Sequence, residues 1–463
     1  MSTARVAPRD PLVAVIGTTG TGKSDLAVDL AVRFNGEIIN ADAMQMYRGL
    51  PVLTNQITAA EQRGIPHHLL AHIDPLEPTW TNRIFVSEAR RLIKEIRSRG
   101  KMPIVVGGTL YYVHALLFEG GVIAKDNANG EMGAYRGLKE SNADFPILDQ
   151  PTDVILAKLR DVDPVMASRW HPDDRRKIKR SLEIFLTTGK RASDIYAEQA
   201  RAKEESEKEN GSWDTLFFWV HAEENVLKAR LEKRVDKMVK SGLMDEVKEL
   251  HRRLREAESR EEVIDRTKGI WQSIGFKQME SYLEGELEGK PANELQKLRI
   301  AGLEETNIAT RQYARYQRKW IKQKTLRAFR EHTAMDHLYI LDSTNADEFQ
   351  ADVLLPAAQI CKTYLKGGEM RKPEEISDAS RRVLAAYDTG ETAKVFKVVT
   401  CQTCGVSLTT DEEFQKHVKG RKHRQALKAK KKTALVPVGE PFDVAREEAK
   451  NGENLADKLQ SRQ

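Results

Sequence analysis

Residues 17–24 read Gly-Thr-Thr-Gly-Thr-Gly-Lys-Ser, a complete G-x-x-x-x-G-K-S loop, and no other run limits the fold as tightly. The apolar run Leu12–Ile16 precedes it and the helical pattern Asp25–Arg33 follows. Glycines let backbone N–H groups turn onto an anion, the helix start adds positive potential, and Lys23 adds a point charge. A phosphate site at the edge of a parallel sheet is expected. A nucleotide hydrolase would also close a strand on an acidic residue that organises Mg²⁺. The best such strand here, Met102–Val106, closes on Gly107-Gly108-Thr109 instead. That disfavours ATP hydrolysis and leaves room for another pyrophosphate.

The first third alternates strands and helices, with Glu37–Asn40 as a second strand, Ile84–Arg99 as a helix and Gly100 as its stop. Residues 125–150 are polar and poorly periodic, Ile155–Gly189 reads as short basic helices, and 200–212 is charged low complexity. Trp213–Val220 reads as a further strand of the core sheet. The fold class is therefore α/β: a P-loop-like parallel-sheet core with a helical insertion and a C-terminal finger. The expected parts are a core of 1–121 and 213–345, an insertion at 122–212, a weakly structured linker at 346–395, a finger at 396–430 and a polar tail at 431–463.

The net charge of +6 on 463 residues decides little; its distribution decides more. Eight Lys/Arg and no acid lie between Arg311 and Arg330, and nine and none between Lys416 and Lys432. Such blocks suit a polyphosphate partner, although any one block is by default a solvated face. Only three cysteines occur, so a disulfide scaffold is excluded and a reducing compartment is expected. No apolar stretch reaches the roughly 20 residues of a membrane span, and no cleaved transit peptide is expected before Pro11.

Cys401-x2-Cys404-x12-His417-x5-His423 has the ligand spacing of a zinc finger. Lys416, Lys419, Arg421, Lys422 and Arg424 surround its histidines, which favours contact with an RNA backbone; a purely structural module is the alternative, and Lys428–Lys432 also suits nuclear import. Two readings fit Asp42: a general base just past a strand end, or a helix-start cap. On a long helix near Ile300–Arg330, Arg311, Arg315, Arg318 and Lys322 make one stripe and Tyr313, Tyr316 and Trp320 another. The aromatic stripe reads as core rather than as a base-stacking platform. His67 and His68 point in different directions, which favours a structural role over a metal pair.

These segments resemble the tRNA dimethylallyltransferases, also called tRNA isopentenyltransferases. The resemblance rests on Gly17–Ser24, Asn40–Tyr47, Pro103–Tyr111, Arg180–Glu183, Gly242–Val247 and Gly269–Phe276, in the right order over about residues 12–325. The finger, with Gly420-Arg421-Lys422 between its histidines, resembles the matrin-type finger of eukaryotic members. The resemblance implies transfer of a dimethylallyl group from dimethylallyl diphosphate to the exocyclic amine of the adenosine 3′ of a tRNA anticodon. It implies that Gly17, Thr18, Gly20, Thr21, Gly22, Lys23, Ser24 and Arg234 hold the diphosphate, with Thr21 and Ser24 near Mg²⁺. Asp42 and Thr109 match catalytic positions, and Gln45 matches a residue near the target nucleotide. Without the family, Arg234 also reads as a plain surface arginine. The basic positions Arg180, Arg311, Arg315 and Arg318 are expected to meet the anticodon stem-loop. Zn²⁺ is expected on Cys401, Cys404, His417 and His423. The Asn40-Ala41-Asp42 and Val52-Leu53-Thr54 contexts depart from the common pattern, which touches local loop contacts rather than the reaction.

Two rivals remain: an adenylate isopentenyltransferase using free nucleotide, and a non-catalytic RNA-binding protein on a decayed kinase-like core. The basic segments argue against the first, and intact Lys23, Ser24, Asp42 and Thr109 against the second. A monomer is expected in the cytoplasm, with nuclear and mitochondrial pools left open.

Overall fold

A computed structural model describes residues 7–118, 145–198, 201, 215–332, 334–387, 399–408 and 411–434. The polar stretch 125–144, nearly all of 200–212 and the tail beyond 434 lie outside the described residues. By contact the chain divides into two units, Met1–Glu131 with Gln199–Gly390, and Met132–Glu198 with Glu391–Gln463.

In the first unit, β1 (Leu12–Gly17), β2 (Gly36–Asn40), β3 (His67–His68), β4 (Met102–Val106), β5 (Thr215–His221) and β6 (Leu338–Asp342) form one sheet in the order β3-β2-β4-β1-β5-β6. Every pairing is parallel. The central strands are buried along their whole length because both faces are covered. Alternation with period two divides their side chains: Ala14, Ile16 and Phe217 enter one core, Val13, Val15 and Phe218 the other. The helices Asn82–Ser98 and Leu243–Ser259 cover the first face with Phe85, Leu92, Val247 and Leu250. The helix Lys23–Arg33 covers the second with Leu26 and Leu30.

The segment 346–395, expected as a linker, is in its first half part of this core. Val353, Ala357, Ile360 and Tyr364 bury against the second face, the last three from a helix over Leu355–Leu365. Pro356 interrupts the helical pattern in the sequence, yet the backbone stays helical through it: a π-helical turn over Gln350–Leu354 runs directly into the helix in whose first turn Pro356 stands. A second helix follows at Asp378–Tyr387. Strand β6 has no counterpart among the expected elements, since so short an apolar run has no decisive period. The long helix starts earlier than expected, at Ala292; it runs to Trp320 and passes through a π-helical turn at Ile321–Thr325.

His67 and His68 form the edge strand β3, as structural residues rather than a metal pair. His67 Nδ1 lies 2.8 Å from the Ile65 carbonyl and His68 Nε2 2.7 Å from Glu37. Burial pushes the Glu37 carboxyl up, but Arg99, His68 and Lys101 outweigh it and hold it at about 2.

The second unit contains the helices Thr152–Val162, Pro164–Arg169 and Arg175–Thr188. They close on their own core of Ile155, Leu159, Met166, Ile178 and Leu182. The same unit contains the hairpin of β7 (Val399–Thr400) and β8 (Ser407–Leu408) with the helices Asp411–Val418 and Arg421–Ala434. No helix among the described residues is long and apolar enough to cross a membrane.

Candidate active site and metal centre

The phosphate loop grows directly from β1. Gly17 touches the neighbouring strand, and a Cβ there would lie 2.4 Å from the Val220 carbonyl oxygen. Gly22 caps the first helix at φ +85°, and a Cβ on it would meet the Phe349 ring at 2.6 Å. Both glycines are therefore required by close approach as well as by turn geometry. Inside the loop, the Thr21 hydroxyl donates to the Thr18 carbonyl at 2.9 Å, and Thr21 is 1% exposed. That hydroxyl is committed to holding the loop's shape.

Lys23 Nζ donates to the Thr18 carbonyl at 2.7 Å. Burial lowers its pKa to about 8, with Arg234 adding to the effect and Asp42 opposing it. Arg234, on the helix Glu224–Lys240, donates to the Thr19 hydroxyl at 2.8 Å. Burial lowers the Arg234 pKa too, while Asp42 pulls the other way. Lys23, Arg234 and Asp42 thus share one desolvated cluster at the carboxyl edge of the sheet.

Asp42 follows β2, where Asn40 fixes its backbone: the Asn40 amide donates to the Asp42 carbonyl and its oxygen accepts the Asp42 N–H. The Asp42 carboxylate accepts the Met44 N–H at 3.1 Å. The capping reading is thus partly realised, although residues 43–46 make turns rather than a helix. Burial raises the Asp42 pKa, opposed by the Met44 N–H, Lys23 and Arg234. A buried carboxylate of raised pKa is suited to accept a proton. The Thr109 hydroxyl accepts the Ala43 N–H at 2.9 Å and ties the Gly-Gly-Thr turn to the Asp42 loop.

Two residues outside the expected set complete the site. Gln317, 1% exposed, accepts the Thr19 N–H at 2.8 Å and donates to the Gly108 carbonyl at 2.8 Å. Tyr313, one turn earlier, donates to the same carbonyl at 3.3 Å. Burial, and then the Asp42 charge, push the Tyr313 pKa well up, so it remains a neutral hydroxyl. Tyr313 is a member of the aromatic stripe expected in the core; it faces the site instead.

The residues expected to meet RNA are distributed more widely. Gln45 donates to the Asn55 carbonyl at 3.0 Å. On another face of the long helix, Arg311 pairs with Glu232 at 2.8 Å, while Arg315 and Arg318 pair with Glu224 at 3.4 and 2.7 Å. They border a cavity of about 490 Å³ floored by Leu227, Leu231 and Ala314. Arg180 belongs to the second unit and pairs with Glu183 at 2.8 Å.

Cys401, Cys404, His417 and His423 converge, with all ligand atoms within 4.8 Å of one another. Cys401 Sγ lies 3.4 Å from His423 Nδ1, the two sulfurs are 3.5 Å apart, and the two histidine nitrogens 3.2 Å apart. A tetrahedral Zn²⁺ with bonds of roughly 2.0–2.3 Å holds its ligand atoms roughly 3.3–3.8 Å apart. The donor set fits that ion, and these spacings lie in or beside that range; Cys404 Sγ and His417 Nε2, 2.9 Å apart, would have to open slightly around it.

The IPP transferase family model matches residues 45–324. The tRNA dimethylallyltransferase of Schizosaccharomyces pombe is 37% identical over 438 residues, covering 92% of this chain and 96% of that protein. The tRNA dimethylallyltransferase of Homo sapiens is 35% identical, covering 91% and 87%. Among solved structures, a eukaryotic dimethylallyltransferase acting on tRNA superposes with a TM-score of 0.74 at 30% identity, over 92% of this chain and 98% of that one. A phosphate loop facing a buried carboxylate, matched across nearly the whole chain in sequence and fold, places this chain in the IPP transferase family.

Proposed function

We propose that the chain is a tRNA dimethylallyltransferase, moving a dimethylallyl group from dimethylallyl diphosphate to the exocyclic amine of the adenosine 3′ of the anticodon. The observation that carries this reading is the shared cluster of Lys23, Arg234 and Asp42 at the sheet edge. Two buried cations beside the phosphate loop stabilise a departing diphosphate, and one buried carboxylate receives a proton. As the allylic C–O bond breaks, its electron pair leaves with the diphosphate. The adenosine amine forms the new C–N bond and its proton passes to Asp42. Thr109 holds the Asp42 loop in register through the Ala43 N–H.

Ser24, in the first helical turn, offers a hard oxygen donor and would hold Mg²⁺ together with phosphate oxygens. That ion would supply further charge neutralisation on the leaving diphosphate. Gln45 stands near the incoming nucleotide. Arg180, Arg311, Arg315 and Arg318 contact the RNA backbone, which competes with Glu224 and Glu232 for the last three. Zn²⁺ on the four Cys/His ligands folds the finger, and its exposed cations add phosphate contacts. One chain carries every protein group this reading uses, so a monomer suffices, and a tRNA substrate suits a cytoplasmic location.

The deciding experiment incubates the protein with isotope-labelled dimethylallyl diphosphate, Mg²⁺ and either unmodified tRNA or AMP. Label should enter the tRNA at the adenosine beside the anticodon and not AMP. Transfer to AMP alone would establish the free-nucleotide enzyme; no transfer to either would leave an RNA-binding protein.

A further inference from the structure

Tyr316 and Trp320, the rest of the stripe expected in the core, do not bury together. Trp320, the last residue of the long helix, is half-buried against the large core. Tyr316 is 57% exposed and Tyr111, in the first turn of the helix Leu110–Leu117, is 51% exposed. The Tyr111 and Trp320 rings meet edge to face, centroids 6.0 Å apart at 81°; Tyr316 and Trp320 are also 6.0 Å apart, at 53°. A tryptophan anchored in the core thus carries a tyrosine at each side, and both tyrosines present ring surface to water.

The position of this cluster is informative. Tyr111 follows Thr109 by two residues, and Tyr316 precedes Gln317, whose amide holds Gly108. The aromatic surface therefore begins about one helical turn from the Asp42 site. Along this helix the charge is of one sign, since no acid occurs from Arg311 to Arg330 and Lys319 and Lys322 are exposed; Glu224, from a neighbouring helix, pairs with Arg315 and Arg318 on its other face.

We propose that Tyr111, Tyr316 and Trp320 form a stacking platform for the unpaired base next to the target adenosine. This rests on the transferase reading above and adds how the RNA is held open. A base drawn out of a loop leaves its neighbour without a stacking partner. Exposed rings beside cations offer that neighbour a replacement, because every nucleobase has a π-face and every linkage a phosphate. An apolar protein partner would be a poor match for rings flanked by the exposed Lys319 and Lys322.

The test uses unmodified anticodon stem-loops with 2-aminopurine placed, in separate molecules, on each side of the target adenosine. Stacking quenches this probe. Wild-type protein should quench one of the two probes on binding, and the Tyr111→Ala/Tyr316→Ala double variant should not. In steady-state transfer, each alanine change should raise KM for tRNA roughly 5- to 150-fold, the scale of one base–aromatic stack, with KM for dimethylallyl diphosphate unchanged. Tyr→Phe at either position should restore wild-type behaviour, since stacking needs the ring and not the hydroxyl. Unchanged quenching and KM in the double variant would overturn the platform, as would phenylalanine variants as impaired as the alanine ones. Quenching is read on binding alone. Absence of transfer by the wild type would therefore remove the transferase reading while the platform is still judged.

Discussion

The sheet-edge site and the Cys/His cluster each gather polar side chains, but by opposite means. At the sheet edge, Thr19 is held by Arg234 from 215 residues away and by Gln317 from 298. The four Cys/His ligands all lie between Cys401 and His423. The first site is produced by the packing of a large core, which also desolvates Lys23 and Asp42. Among the described residues of the second, only the ligands Cys401 and His423 are buried, so a bound metal would supply much of its folding energy. Organisation at the Cys/His cluster is thus local in sequence, and at the sheet edge it is tertiary and distributed.

Zinc removal is the most drastic way to break that comparison. A tight zinc chelator, with Mg²⁺ resupplied, should abolish hydrogen-exchange protection across 399–434 and leave protection in β1, β4 and β5 intact. Loss of protection in the sheet as well would show that the two sites are not independent. Next in size is Asp42→Asn, which keeps the shape and removes the base. Turnover should drop by roughly 10²–10⁴ while tRNA binding holds, as filter-binding and single-turnover assays would show. Near-normal turnover would remove Asp42 from that role.

The pH profile of kcat/KM gives a smaller effect. The base must be ionised and Lys23 charged, so activity should rise through a pKa above that of an ordinary aspartate and fall above about 8. Lys23→Arg should move the alkaline limb upward in whatever activity remains; an unmoved limb would assign it to another group. Smallest is the finger's electrostatic share. Replacing the exposed Lys419, Arg421, Lys422 and Arg424 by glutamine should weaken tRNA binding several-fold. Its salt dependence should flatten by about one unit of slope for each phosphate that is no longer neutralised. An unchanged slope would make the finger a module for protein contact or localisation.

The sequence discloses the two sites unequally for the same reason that they are built differently. The finger ligands are legible because their geometry is set by spacing within one short segment. The phosphate loop, Asp42 and Thr109 are legible because each follows a strand, and strand ends of a parallel sheet share an edge. Gln317 and Tyr313 are not legible. Helical periodicity says which residues share a face but not what that face meets, so the pattern sends Tyr313 to the core and gives Gln317 no role. The helix that contains Pro356 is hidden because its pattern is broken where the backbone is not.

Gln317 and Phe349 also have a consequence for how the protein is made. The phosphate loop leaves the ribosome well before its partners, since the amide that accepts the Thr19 N–H lies 298 residues downstream. At about 5–20 residues per second, the loop waits roughly 15–60 s for that partner. The ring under Gly22 comes later still. During that interval β1 and β4 can pair, but the phosphate loop lacks the Gln317 amide and the Phe349 ring that pack against it. A nascent chain should therefore bind diphosphate poorly until Phe349 has emerged from the ribosome, and a chaperone that shields apolar β1 has that whole interval in which to act.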